Sequence, residues 1–138
     1  MDPQPIAPES RQLLTDLRNL LLDQHKLLLD RERLIYEKEK GPIAGPGPYL
    51  TLVLSDPHFA WLKQISTLIV EIDEALSRRS KAGQPEAEAL TNEARELIRP
   101  RDTGSDFQRR YYSAIQESPD MVILQVRIEQ LLAGRPVI

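Results

Sequence analysis

The placement of proline and glycine is the feature that most constrains the fold of this chain. The chain has 138 residues, and none of its eleven prolines or six glycines interrupts a strong apolar period. Proline costs about 3 kcal/mol inside a helix, and glycine costs about 1 kcal/mol relative to alanine, so both residues mark the ends of elements. The segments between them therefore predict separate helices.

The first of these segments predicts one long helix from Ser10 to Lys40. Ser10 suits the N-cap, while Gly41 and Pro42 end the helix. Leucines recur along the segment with helical spacing and widen into a broad apolar stripe. A helix this apolar is expected to contact neighbours on two sides, either within a bundle or across a dimer.

The segment "PYLTLVLSD" is ambiguous between a strand and a short helix. A lone strand would have no partner elsewhere in the sequence, so we expect a short helix with Pro48 in its first turn. In the "DP" that follows, Asp56 is expected to accept hydrogen bonds from the first amides of a second long helix, with Pro57 at its first position. The apolar residues from Trp61 to Leu76 then trace one face of that helix.

The remaining segments predict further helices separated by turns. One runs from about Pro85 to Arg99, and the last is capped by Ser118, started by Pro119 and ended by Gly134. The sum is an all-α, mostly antiparallel bundle of four or five helices with one long N-terminal helix. We expect a flexible N-terminal tail over residues 1–9, a single bundle domain over 10–134 and a C-terminal tail over 135–138.

The composition excludes several classes of function. The net charge of −3 lacks the basic surface that nonspecific nucleic-acid binding needs. The absence of cysteine excludes disulfides, thiolate metal sites and cysteine nucleophiles. No apolar run is long enough to span a membrane, and the N-terminus lacks the pattern of an export signal. We therefore expect a soluble, cytoplasmic protein without a membrane partner.

Two pairs of glutamates form the sharpest catalytic candidate, Glu71 with Glu74 and Glu93 with Glu96. Carboxylates three residues apart lie on one side of a helix, and two such helices could hold Mg²⁺ against a phosphate substrate. Residues 71–96 thus resemble the paired acidic motifs of the all-α nucleotide pyrophosphohydrolases, although Glu96 stands where that family has aspartate. The resemblance implies a helical bundle with Mg²⁺ as cofactor. The helical phase of these glutamates instead points them to solvent, away from the apolar stripes.

A second candidate site combines His25, Glu32, His58 and Trp61. Histidine and carboxylate from facing helices are how bundles hold metals, and an internal pocket there could hold a small ligand. The sequence has no metal-binding histidine motif and only two histidines, so a histidine hydrogen-bonded to a glutamate or to Arg18 in a mostly apolar seam is the other interpretation.

The sequence therefore supports a non-catalytic interaction or self-association module, with a protein or a second copy as partner and no cofactor assigned. The broad apolar stripe of the first helix motivates this hypothesis. The Mg²⁺-dependent hydrolase and the ligand-binding or metal-binding bundle remain as alternatives.

Overall fold

The computed structural model describes residues 4–134, which form seven helices and no strand. The all-α class predicted from the sequence is confirmed, as is the long N-terminal helix. The helices are α1 (Pro8–Lys40), α2 (Pro46–Ser55), α3 (Pro57–Ala60), α4 (Lys63–Leu76), α5 (Gln84–Leu97), α6 (Asp106–Glu117) and α7 (Pro119–Leu132).

The 33-residue helix α1 is the centre of the fold, and it packs against α3, α4, α5 and α7. Its cross-helix bonds show that α3 and α4 run antiparallel to it. Arg11 Nη1 donates to the carbonyl of Leu76, whereas Glu32, three-quarters along α1, meets His58 at the start of α3. The neighbours on several sides cover most of the broad leucine stripe, as expected for a helix inside a bundle.

The N-terminal end differs from the expectation in two ways. Helix α1 begins at Pro8, and its N-cap is Ala7 and not Ser10. Proline is favoured at the first position of a helix, because an amide there would have no partner within the helix. Within the expected tail, Ile6 is buried in the core, and the carbonyl of Gln4 accepts a hydrogen bond from the amide of Gln84. Residues 1–3 and the expected tail at 135–138 lie outside the described residues.

The second long helix is interrupted, which corrects the prediction of one helix from Pro57 to Leu76. Trp61 and Leu62 keep right-handed backbone angles, but the amide of Leu62 bonds to the carbonyl of Phe59, three residues back. This tighter turn separates α3 from α4. It directs two consecutive side chains into the core, since Trp61 and Leu62 are both buried.

The predicted caps in the middle and C-terminal parts are confirmed. The Asp56 carboxylate accepts from the amide of His58, and the Ser118 hydroxyl accepts from the amide of Met121. Segment 46–55 is helical, as expected, and Gly134 follows α7 with a positive φ of 75°. No helix among residues 4–134 is long and apolar enough to cross a membrane.

Candidate functional site

Helix α2 is the least covered apolar element of the molecule. Its ten residues include Tyr49, three leucines and a valine, and none of the ten is buried. Leu50 and Leu54 are 57% and 74% exposed, and they lie one helical turn apart on the outer face of α2. Single exposed leucines are ordinary, but two exposed leucines on an apolar helix without a buried residue make α2 a candidate binding surface.

Aromatic contacts fix the orientation of α2. The ring of Tyr49 lies 6.1 Å from the ring of Phe59, edge to face, and the guanidinium of Arg33 lies 4.7 Å from the centre of the Tyr49 ring. Such contacts stabilise a surface element by about 0.5–1.5 kcal/mol each. The Tyr49 face of α2 is therefore held against α1 and α3, and the Leu50 and Leu54 face is left outward.

An open groove of about 740 Å³ lies beside α2. Leu54 and Val53 form one wall, Leu62 and Val70 line the side of α3 and α4, and His25 of α1 also borders it. The lining is mostly apolar, and Val70 is more than half exposed. We name this cleft, together with the outer face of α2, the α2 surface.

The four candidate glutamates do not form a metal-binding cluster. Glu71 borders the α2 surface. Glu93 and Glu96 line a neighbouring groove of about 790 Å³ between α4, α5 and the start of α6, and the two grooves share Ala60, Lys63 and Thr67. Glu74 is exposed on α4. Among residues 4–134, no three acidic, histidine or cysteine side chains are placed to hold a metal ion. The outward orientation expected from helical phase is thus found for most of these glutamates.

Glu71 and Glu93 nevertheless influence each other across α4 and α5. Desolvation raises the pKa of Glu93 above its ordinary value, and repulsion from Glu71 raises it further. Both causes favour the protonated form of Glu93. This pair is the part of the glutamate prediction that the structure brings together.

Of the second candidate set, the structure brings Glu32 and His58 together. The side chain of Glu32 is buried, and its Oε2 lies 2.9 Å from Nε2 of His58. His58 Nε2 also lies 2.9 Å from the carbonyl oxygen of Glu32, so both nearby atoms are acceptors and Nε2 carries a hydrogen. Oε1 of Glu32 accepts from Arg31 at 2.7 Å, and Arg31 also bonds to Glu117 at 2.6 Å. Glu32 therefore has a partner at each oxygen.

The other two members of that set have different surroundings. His25 is half-buried at the edge of the α2 surface, where burial lowers its pKa. Trp61 packs its ring 5.4 Å from that of Phe107, and its buried Nε1 has no hydrogen-bond partner among the described residues. The Glu32 and His58 pair is thus the hydrogen-bonded polar pair that the sequence offered as an interpretation.

Sequence reasoning missed a second buried polar group, which joins α1, α6 and α7. Gln24 Nε2 donates to the hydroxyl of Tyr111 at 2.6 Å, and that hydroxyl donates to Gln125. Gln125 Nε2 donates to the carbonyl of Ile98 and to Glu129. Burial raises the pKa of Tyr111 far above its ordinary value, so the hydroxyl stays protonated. The available signal was Gln24 itself, which continues the buried Leu17, Leu21 and Leu28 stripe.

Comparison of the chain with protein-family models, with curated proteins and with solved structures gave no match.

Proposed function

We propose that this chain is a non-catalytic protein-interaction module whose α2 surface binds an uncharged, leucine-bearing helix of a protein partner. The observation that supports the proposal is that α2 is mostly apolar and has no buried residue. Covering apolar area that would otherwise face water stabilises the complex by about 25 cal/mol per Å². A partner that covers α2 gains this contribution without any rearrangement of the bundle.

The dimensions of the groove match a helical partner. Its α4 side extends from Leu62 to Val70, which spans about 12 Å at a rise of 1.5 Å per residue. That length accommodates two leucines one turn apart on a partner helix, which is the helix-in-groove mode of recognition. The apolar part of the lining disfavours an unpaired charge on the side of the partner helix that it covers, since burial of such a charge is costly.

The binding test uses model helices and the full chain. A fluorescent alanine- and glutamine-based peptide with leucines at positions i and i+4 is titrated with the protein, and anisotropy reports binding. We expect the leucine peptide to bind and a matched serine peptide not to bind. Val70→Lys should weaken binding, because the new charge lies in the groove, whereas Val122→Lys on α7 should not.

Two results would contradict the proposal. One is equal binding of the leucine and serine peptides; the other is unchanged binding to the Val70→Lys variant. Circular dichroism of both lysine variants checks that the fold is retained, which we expect because Val70 and Val122 are 54% and 43% exposed.

The Mg²⁺-dependent phosphohydrolase is a second candidate, supported by the proximity of Glu71 and Glu93. A divalent cation between them would relieve the repulsion that raises the pKa of Glu93. A panel of nucleoside triphosphates with Mg²⁺ tests this function. Hydrolysis that persists in the Glu71→Ala, Glu74→Ala double variant would remove these residues from the mechanism.

A further inference from the structure

We propose that the partner of the α2 surface is a second copy of this chain, bound about a two-fold axis that passes beside Thr67. This inference rests on the proposed function, since it names the occupant of the same groove. Helix α2 itself has the chemistry that the groove accepts. Segment 46–55 carries no charged residue and presents Leu50 and Leu54 one turn apart on its outer face.

The helix and the groove lie side by side on one surface, which makes that surface self-complementary. Leu54 forms one wall of the groove, and Val70 lines the opposite side on α4. When two copies meet face to face, the apolar groove of each copy, with Leu54 and Val70 on its walls, lies against the groove of the other. The same patch is then used on both sides, so the assembly closes as a dimer and does not extend into a filament.

The charges along α4 support the same arrangement. Lys63, Thr67 and Glu71 all border the groove, and their spacing of four residues places them along one stripe of α4. Neither Lys63 nor Glu71 forms an ion pair with another residue in the described part of the chain. Thr67 is the midpoint of the stripe. A two-fold axis beside it sets the two α4 helices antiparallel and brings each Lys63 opposite the Glu71 of the other copy.

This charge pattern favours a second copy over an unrelated apolar helix. The α4 stripe, with Lys63 and Glu71 placed symmetrically about Thr67, is complementary to itself after a two-fold rotation, and Asp56 adds a further negative charge at the border of the groove. Complementary rim charges set the register of an interface more than its affinity. The apolar contacts of Leu54 and Val70 supply the affinity, and the Lys63 and Glu71 pairs supply the register.

Sedimentation velocity of the full chain over a range of concentrations tests the inference. We expect a reversible monomer–dimer equilibrium. Leu54→Lys should weaken the dimer at least about tenfold, as expected for an apolar anchor residue that becomes covered in an interface. The matched control is Leu34→Lys, because Leu34 of α1 has a similar exposure of 62% and does not border the groove. A wild-type chain that remains monomeric, or a dimer that Leu54→Lys leaves unchanged, would overturn the inference.

A charge-reversal series tests the two-fold register. Lys63→Glu should weaken the dimer by placing two glutamates opposite each other, and the Lys63→Glu, Glu71→Lys double variant should restore it. Glu71→Lys alone is left out of the series, because the added lysine would also attract Glu93 of its own copy. A double variant no tighter than Lys63→Glu alone would overturn the axis at Thr67.

The two proposals fail differently. If the leucine peptide binds at the groove while the chain remains monomeric, the second copy is wrong and the interaction module stands. If the chain dimerises with no effect of Leu54→Lys and the peptide does not bind, both proposals are wrong.

Discussion

Helices α1 and α2 are both rich in leucine, yet only α1 is covered. Six residues of α1 are buried, and four other helices pack around it, whereas α2 has no buried residue and contacts mainly α3. From the sequence, self-association was expected because of the broad apolar stripe of α1. The comparison teaches that apolar content does not tell whether a helix is covered. The packing of the other helices against it decides which apolar face stays exposed.

The largest expected effect is on α1, at Leu28. This leucine is fully buried, so Leu28→Ala removes buried methyl groups and leaves a cavity, which costs about 2–5 kcal/mol of stability. Urea denaturation followed by circular dichroism measures the change. A loss below about 1 kcal/mol would break the comparison, because α1 would then be no more firmly packed than α2.

The polar group on α1 sharpens the comparison further. Tyr111→Phe removes the hydroxyl that lies between Gln24 and Gln125 and leaves their buried amides without this partner. We expect a loss of about 1–3 kcal/mol in the free energy of unfolding. Tyr112→Phe is the matched control, since Tyr112 is the next residue of α6 and is only partly buried. Equal losses in the two variants would contradict a role for this network.

A smaller effect is expected at His25, where α1 borders the α2 surface. Burial lowers its pKa below the ordinary value of 6.5, so the unfolded chain binds the proton more readily than the folded chain. Stability is therefore unaffected by His25 above pH 6.5 and falls as the pH drops through 6.5 towards the lower folded pKa. Charged groups also border this groove, namely Asp56, Lys63 and Glu71.

The variant His25→Gln isolates this contribution, since Gln does not titrate. Denaturation midpoints of the wild type and the variant, measured from pH 8 to pH 5, should run parallel above pH 6.5 and diverge below it, with the wild type losing more stability. Parallel curves over the whole range would show that His25 is not desolvated in the folded chain.

The smallest effect is expected on α2. Leu54→Ala should change stability by no more than about 0.5 kcal/mol, because a side chain that is 74% exposed has little buried area to lose. This measurement is made at a concentration where the chain is monomeric, so that any dimer contribution is excluded. A loss comparable to that of Leu28→Ala would show that α2 is packed more tightly than its exposure indicates.

The sequence was sufficient for those helix ends that are set by local chemistry. Asp56 with Pro57, and Ser118 with Pro119, act within a few residues of the positions they define. The break at Trp61 and Leu62 was not predictable, since neither residue disfavours a helix. The turn is associated with the burial of both side chains, which depends on the packing of other helices.

The candidate site was predictable only in its parts. Glu32 and His58 were both singled out, but their pairing depends on α1 and α3 running antiparallel, which no local pattern specifies. The uncovered state of α2 depends on where the other six helices pack. Composition could show that segment 46–55 is apolar, but not that it has so few neighbours.

The amino-terminal segment also joins two parts of the molecule that are far apart in sequence. The backbone amide of Ala7 donates to the side-chain oxygen of Gln84, and the backbone amide of Gln84 donates to the carbonyl of Gln4. The backbone at Gly83 lies so close to Gln4 that a methyl group on Gly83 would stand 2.2 Å from the Gln4 carbonyl oxygen. These bonds close a loop that contains α1, α2, α3 and α4. The entropic cost of closing this loop is smallest once those helices have docked. We expect protection of the Gln84 amide from hydrogen exchange to report this closure, and an alanine at Gly83 to strain it, because the Gln4 backbone would have to shift.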